Sequence, residues 1–261
     1  MTIIKHELKL GKAFFWIWTL TIGLLLAMCV FLYPEMETQM NDIGDMFSSM
    51  GNFSTAFGMD KLNFGTFIGF YGIECGNILG LGGGFFSAIC AIGVLCKEER
   101  DKTAEFLLTH PVSRKKIITE KLISVIIQIV TMNIVIFAIA LISAAAIGEE
   151  IPMKELLLLH TAYLVMQLEF GGICFGISAF LSRGGMGIGL GITAVMYFLN
   201  IIANITEKAE FLKYITPYGY AESSDIISEL AIAPAPLAVG IVLTIIGVAA
   251  AYFRYTSKDI T

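Results

Sequence analysis

Charged side chains are scarce in this sequence. They make up 15% of its 261 residues, against about a quarter in soluble domains. Hydrophobic residues make up 56%, and the mean hydropathy is +0.78. The apolar excess gathers into runs of roughly 18 or more residues with few charges, which excludes a soluble enzyme, a disordered tail and a secreted disulfide scaffold. The five cysteines (Cys29, Cys75, Cys90, Cys96 and Cys174) are odd in number and form no CxxC pair. Neither a disulfide framework nor a zinc site is indicated, and they read as small apolar packing residues. A net charge of −5 leaves no basic face for nucleic acid. The phosphate-cradling pattern GxxxxGK[ST] is missing, since the one Gly-Lys pair, Gly11-Lys12, is followed by alanine. HExxH and GxSxG are missing too, so no common hydrolase chemistry is encoded. The three histidines (His6, His110 and His160) lie far apart and read as surface or interface residues. The first apolar run is too long for a signal core, and Pro34-Glu35 follows it without a small-residue cleavage site.

What is present is length enough to cross a bilayer six times. A spanning helix needs about 20 apolar residues, and six segments qualify: 13–33, 67–96, 117–147, 156–181, 184–205 and 237–253. The expected fold is an all-α polytopic membrane protein, a single transmembrane domain over 1–261. The second and third segments exceed what a bilayer needs and should tilt, kink or project. Only Ser182-Arg183 separates the fourth from the fifth, which predicts a tight hairpin. With the amino terminus inside, 13 of the 17 basic residues fall on cytoplasmic stretches and only Lys61, Lys154, Lys208 and Lys213 outside. The positive-inside rule therefore places both termini in the cytoplasm. Residues 1–12 set Ile3, Ile4, Leu8 and Leu10 beside Lys5, Lys9 and Lys12, an amphipathic interfacial helix. The outer segment 34–66 repeats Met40, Ile43, Phe47, Met50, Phe53 and Phe57 at helical spacing. The outer segment 206–236 suits interfacial or re-entrant helices broken at Pro217 and Gly219.

Gly72, Gly76, Gly80 and Gly84 recur every four residues along the second span. Such a stripe lets another helix approach closely in lipid, either as fixed packing or as a face that slides during gating. Gly184, Gly185, Gly187, Gly189 and Gly191 make the start of the fifth span thin. Glu74 and Glu169 fall inside apolar segments, where a carboxylate costs about 2.5–3.5 kcal/mol on insertion scales. They either line a polar path for substrate or are satisfied locally by water and a neighbouring helix. No metal or cofactor site is expected in the chain.

The link between the second and third spans, 97–116, is the most informative stretch. Phe106 and Leu107-Leu108 form an apolar edge among charges, Pro111 stops that helix, and Ser113 can cap the next. Such a segment suits docking against a cytoplasmic protein. It resembles the link of type-2 ATP-binding-cassette exporter permeases, which carry E-x-x-x-G-T-x-E-x-L-L-x-x-P-V-S-R between their second and third spans. The matching residues are Thr103, Glu105, Leu107, Leu108, Pro111, Val112, Ser113 and Arg114, with Glu99 as the upstream acid, one residue closer than the pattern places it, and Lys102 where the pattern has glycine. The resemblance extends over the whole architecture. It implies a permease subunit that faces a second six-span subunit, identical or homologous. Separate ATPase subunits would bind ATP and magnesium, and the amino-terminal helix and the link would carry their motion into the bundle. The resemblance says nothing of cargo; the Met- and Phe-rich face of 34–66 would suit a peptide or a lipid-like amphiphile. The expected location is a bacterial plasma membrane. Two other classes remain at this point: a secondary transporter or channel using Glu74 and Glu169, and a membrane sensor or immunity factor.

Overall fold

A computed structural model describes residues 2–37, 51–59, 61–103, 112–182 and 184–257. Among these residues the chain is all-helical. Six helices are long and apolar enough to cross a membrane: α2 (Lys12–Glu37), α4 (Phe67–Ile92), α6 (Arg114–Ile147), α7 (Met153–Ser178), α8 (Met186–Ile205) and α10 (Pro234–Ser257). Four shorter helices accompany them: α1 (Thr2–Leu10), α3 (Asn52–Ala56), α5 (Lys97–Arg100) and α9 (Ser223–Glu229). α1, the start of α6 and the ends of α4 and α10 meet at one end of the bundle, here the basic end.

Because both faces of a lipid-immersed helix are apolar, burial here follows packing rather than amphipathicity. α2 buries Thr19, Ile22, Gly23, Leu26, Val30 and Tyr33 along one stripe, while Ile17, Leu24, Met28 and Phe31 stay exposed. α7 is the central element and packs against α4, α6 and α10. Three polar ties lock this centre. Gln167 of α7 accepts a 2.6 Å bond from Asn133 of α6 and donates 3.2 Å to the Leu79 carbonyl of α4. Tyr71 of α4 meets His160 of α7 at 2.7 Å. Each satisfies a group that lipid could not.

Several boundaries differ from the sequence expectation. α2 continues to Glu37, with Pro34 in its last turns. α4 stops at Ile92 rather than Cys96 and holds one π-helical stretch, Tyr71–Cys75. α6 has 34 residues, about 51 Å at 1.5 Å per residue, longer than a core of about 30 Å requires. Its Gly148 cap adopts φ +79°, the left-handed geometry that ends a helix. The connection between α7 and α8 is longer than expected, because α7 ends at Ser178 and α8 starts only at Met186, after the glycine pair Gly184-Gly185. Met40, Ile43, Phe47 and Met50 lie outside the described residues.

The segment between α8 and α10 descends between the spans. It forms 3-10 turns at Glu207–Tyr214 and Pro217–Gly219, then α9. Pro217 and Gly219 thus sit within one turn instead of breaking helices; the interruptions fall at 215–216 and 220–222. Residues 216–221 are buried. Thr216 donates 3.0 Å to the Met196 carbonyl of α8, and Tyr163 of α7 meets Ser223 at 2.6 Å.

Candidate functional site

At the basic end, α1 lies along the start of α6. The sequence explains the docking. Ile3, Ile4 and Glu7 share one face of α1, as Ile117, Ile118 and Lys121 share one face of α6. An acid and a base thus sit on otherwise apolar stripes, and the structure brings them together. Lys121 is 0% exposed. Its ammonium donates to Glu7 Oε1 at 3.2 Å, Glu98 Oε1 at 2.5 Å and the Val94 carbonyl at 2.6 Å, which uses all three of its donors. Lys97 closes the cluster with a short ion pair to Glu7 Oε2. Burial pushes the Glu7 carboxyl up, but Lys121 and Lys97 beside it outweigh burial and hold it below its ordinary value. One residue earlier on α6, Glu120 Oε2 accepts the Ile3 and Ile4 amides at 3.1 and 3.4 Å. These are orphan donors of the first turn of α1, where negative charge is favoured. The pair Glu120-Lys121 therefore holds α1 at two points and α5 at a third.

α5 opens the link. Thr103 N donates to the Glu98 carbonyl at 2.8 Å and Lys102 N to that of Glu99 at 3.3 Å, a Schellman-type stop. Lys102, at the position where the resembled pattern has glycine, adopts φ +56°. The turn is kept and a lysine carries its left-handed geometry, which costs about 1–2 kcal/mol outside glycine. Glu105, Leu107, Leu108 and Pro111 lie outside the described residues. Beyond them Val112 packs on the core, Ser113 Oγ accepts the Lys116 amide at 3.3 Å as a helix cap, and Arg114 begins α6. The sequence reading found this link but missed Glu7, Glu98 and Lys121. Their signal was present as charges at apolar positions of helical stripes.

The two intramembrane acids are not brought together. Glu74 is half-buried in the π-helical stretch of α4, and Cys29 of α2 is among its neighbours. Glu169 of α7 is 2% exposed and faces α10, where a side chain on Gly240 would collide with its carboxylate. Neither Glu169 oxygen has a hydrogen-bond partner among the described residues. The Tyr220 hydroxyl is close enough to interact electrostatically, yet it lacks hydrogen-bond geometry and is itself unpaired. The glycine stripe is also resolved. A Cβ at Gly76 would come 2.5 Å from Ser223 Oγ, one at Gly80 3.1 Å from Tyr163, and one at Gly84 2.7 Å from the Tyr218 hydroxyl. The partners at these three positions are the descending segment and a tyrosine of α7 more than a single facing helix.

A polar pocket lies along this stripe, lined by Asn77, Tyr163, Tyr197, Asn200, Glu222 and Ser223 among others. Glu222 Oε2 accepts from Asn200 at 2.8 Å and Asn204 at 3.0 Å, tying the descending segment to α8. Burial raises the Glu222 carboxyl above its ordinary value against these two bonds.

Six spanning helices around a polar-tied centre, with a charge-clamped amino-terminal helix, define a multi-pass membrane component. Residues 1–260 match the family model described as ABC-2 family transporter protein, and the chain belongs to that family. No curated protein matches it. Membership makes it the permease type of component in an ABC-type transporter, a class that works in general with ABC ATPases.

Proposed function

We propose that the chain is the permease subunit of an exporter driven by separate ATPase subunits that dock at the basic end, on the cytoplasmic side of a bacterial plasma membrane. The observation that carries this reading is the Lys121 clasp. It ties α1 and α5 into one body with the start of α6, so a push on the adjoining link at Glu105–Arg114 reaches two helices and a span together. Coupling of this kind needs contacts that differ in free energy between inward- and outward-facing states. Two six-span subunits, identical or homologous, enclose the pathway. ATP and magnesium reside on the ATPases, and this chain supplies no cofactor. The cargo class is a peptide or lipid-like amphiphile, and Glu74 and Glu169 are the intramembrane acids available to a polar path.

Purification from the native membrane under mild detergent, followed by mass measurement of the assembly, tests the reading. A stoichiometric soluble partner with a Walker motif is the expected result. Charge reversal at both Glu105 and Arg114 should abolish substrate-stimulated ATPase activity while leaving insertion intact. Transport by the isolated chain in liposomes, without any ATPase, would overturn it.

A further inference from the structure

α8 and α10 scarcely touch each other. Between them, over α7, runs an apolar groove of about 290 Å³ walled by Ile173, Ile177, Ile192, Met196, Leu243 and Ala250. It is about twice the roughly 150 Å³ of an engineered apolar cavity that takes up benzene. The groove closes against Ile215 and Pro217 of the descending segment. Along α10 its walls extend from Leu243 to Ala250, about 10 Å at 1.5 Å per residue. At the basic end it meets Phe180, and the Arg254 guanidinium lies 6.0 Å from the centre of that ring. Arg254 is one helical turn beyond Ala250, exposed, and makes no ion pair among the described residues.

We propose that this groove holds one acyl chain of an anionic bilayer phospholipid whose phosphate is met by Arg254. Lipid tails are as apolar as the groove wall, so the hydrophobic effect supplies no preference between groove and bilayer. Tail binding rests on filling a gap that would otherwise forfeit dispersion contacts. The guanidinium, whose fork of donors matches a phosphate, holds the headgroup. Selection rests on net charge, because the choline ammonium of phosphatidylcholine cancels its phosphate and leaves less attraction for the exposed Arg254. The site is separate from the link and needs no ATPase.

The test is native mass spectrometry of the full chain released from nanodiscs of phosphatidylglycerol and phosphatidylcholine. The expected result is retention of a single phosphatidylglycerol. Ala250→Trp and Ile192→Trp fill the groove from opposite walls and should remove it, whereas Ile245→Trp, on an exposed face outside the groove, should not. Arg254→Gln should cut the preference for phosphatidylglycerol by about fivefold, the scale of one basic residue's attraction to an anionic lipid surface. Should the tryptophan variants fail to fold, phosphatidylglycerol with a photoreactive acyl chain reads the site in the unmodified protein, with adducts expected on Ile192–Met196 and Leu243–Ala250. Retention unaffected by both groove-filling variants, adducts confined to other faces such as Leu24 and Leu25, or contact between copies of the chain across the groove would each overturn the proposal. An ATPase partner found or missing leaves it untouched.

Discussion

The Lys121 ammonium of α6 and the Glu7 carboxylate of α1 meet at 3.2 Å across 114 positions of chain. Glu98 and Val94 share that ammonium, so a single buried cation joins three elements. Removing one partner of a buried ion cluster is far more damaging than replacing the whole cluster, because the remaining charges stay desolvated. Lys121→Met keeps the apolar stem and deletes the charge. It should lower stability by about 3–5 kcal/mol, read as a large fall in the thermal midpoint in detergent. Adding Glu98→Gln to Lys121→Met should recover part of that loss, because Glu98 loses its ammonium with Lys121 whereas Glu7 keeps Lys97. A single variant that melts like the unmodified protein would remove the clasp from the account.

Lys102 offers a milder test in the same region. Its φ of +56° and the 2.8 Å bond from Thr103 N to the Glu98 carbonyl define a stop that glycine fits better. Lys102→Gly should stabilise the turn by about 0.5–1 kcal/mol, the left-handed penalty less the entropy that glycine loses. Lys102→Val should weaken it, since β-branched residues resist positive φ. Hydrogen exchange at the Thr103 amide separates the three proteins, and equal protection in all of them would show that the turn is not held.

The spans were legible because a bilayer imposes length, and about 20 apolar residues in a row have few other uses. The clasp was not, because Lys97 and Lys121 also satisfy the positive-inside pattern and so read as surface charge. Only the pairing of stripes, Ile3-Ile4-Glu7 against Ile117-Ile118-Lys121, distinguishes a buried ammonium from a wet one, and that is a relation between elements. The α7–α10 seam was invisible for a related reason: Gly172 and Gly176 are small for the sake of a helix about 70 positions away. In the descending segment the sequence marks Pro217 and Gly219 as breakers. Gly219 is required instead by the Lys213 carbonyl, against which any side chain would collide.

Two carboxyls outside the spans should respond to pH with opposite sign. Glu7 is held below its ordinary value of 4.5, so its contribution is present above pH 4.5 and is lost as pH falls through its lowered value. Glu222 is raised above 4.5 by burial, against the hydrogen bonds from Asn204 and Asn200; Asp225 pushes it further up and Lys213 pulls it down. Its contribution is complete below pH 4.5 and is lost as pH rises through the raised value. Hydrogen exchange corrected for intrinsic rates should show α1 loosening on acidification and residues 216–224 loosening as pH rises. Glu222→Gln should flatten the second response and leave the first. A pH response at 216–224 that survives this substitution would assign it to another group.

The seam between α7 and α10 gives a matched pair of glycine substitutions. A Cβ at Gly176 would lie 2.6 Å from the Gly247 carbonyl oxygen and 2.7 Å from its Cα. Both atoms are backbone, so no side-chain rotation relieves the clash and one helix must move. Gly176→Ala should therefore cost about 1–3 kcal/mol, as overpacking does. Gly187 in α8 meets nothing within 4 Å, so Gly187→Ala meets no such penalty. It should raise stability by about 0.5–1 kcal/mol by restricting the unfolded chain. The two variants add the same methyl group to a spanning helix, so any general effect of alanine on insertion cancels between them. Thermal midpoints that shift in opposite directions support the close α7–α10 packing, and a Gly176→Ala midpoint at or above that of Gly187→Ala would place α10 farther from α7.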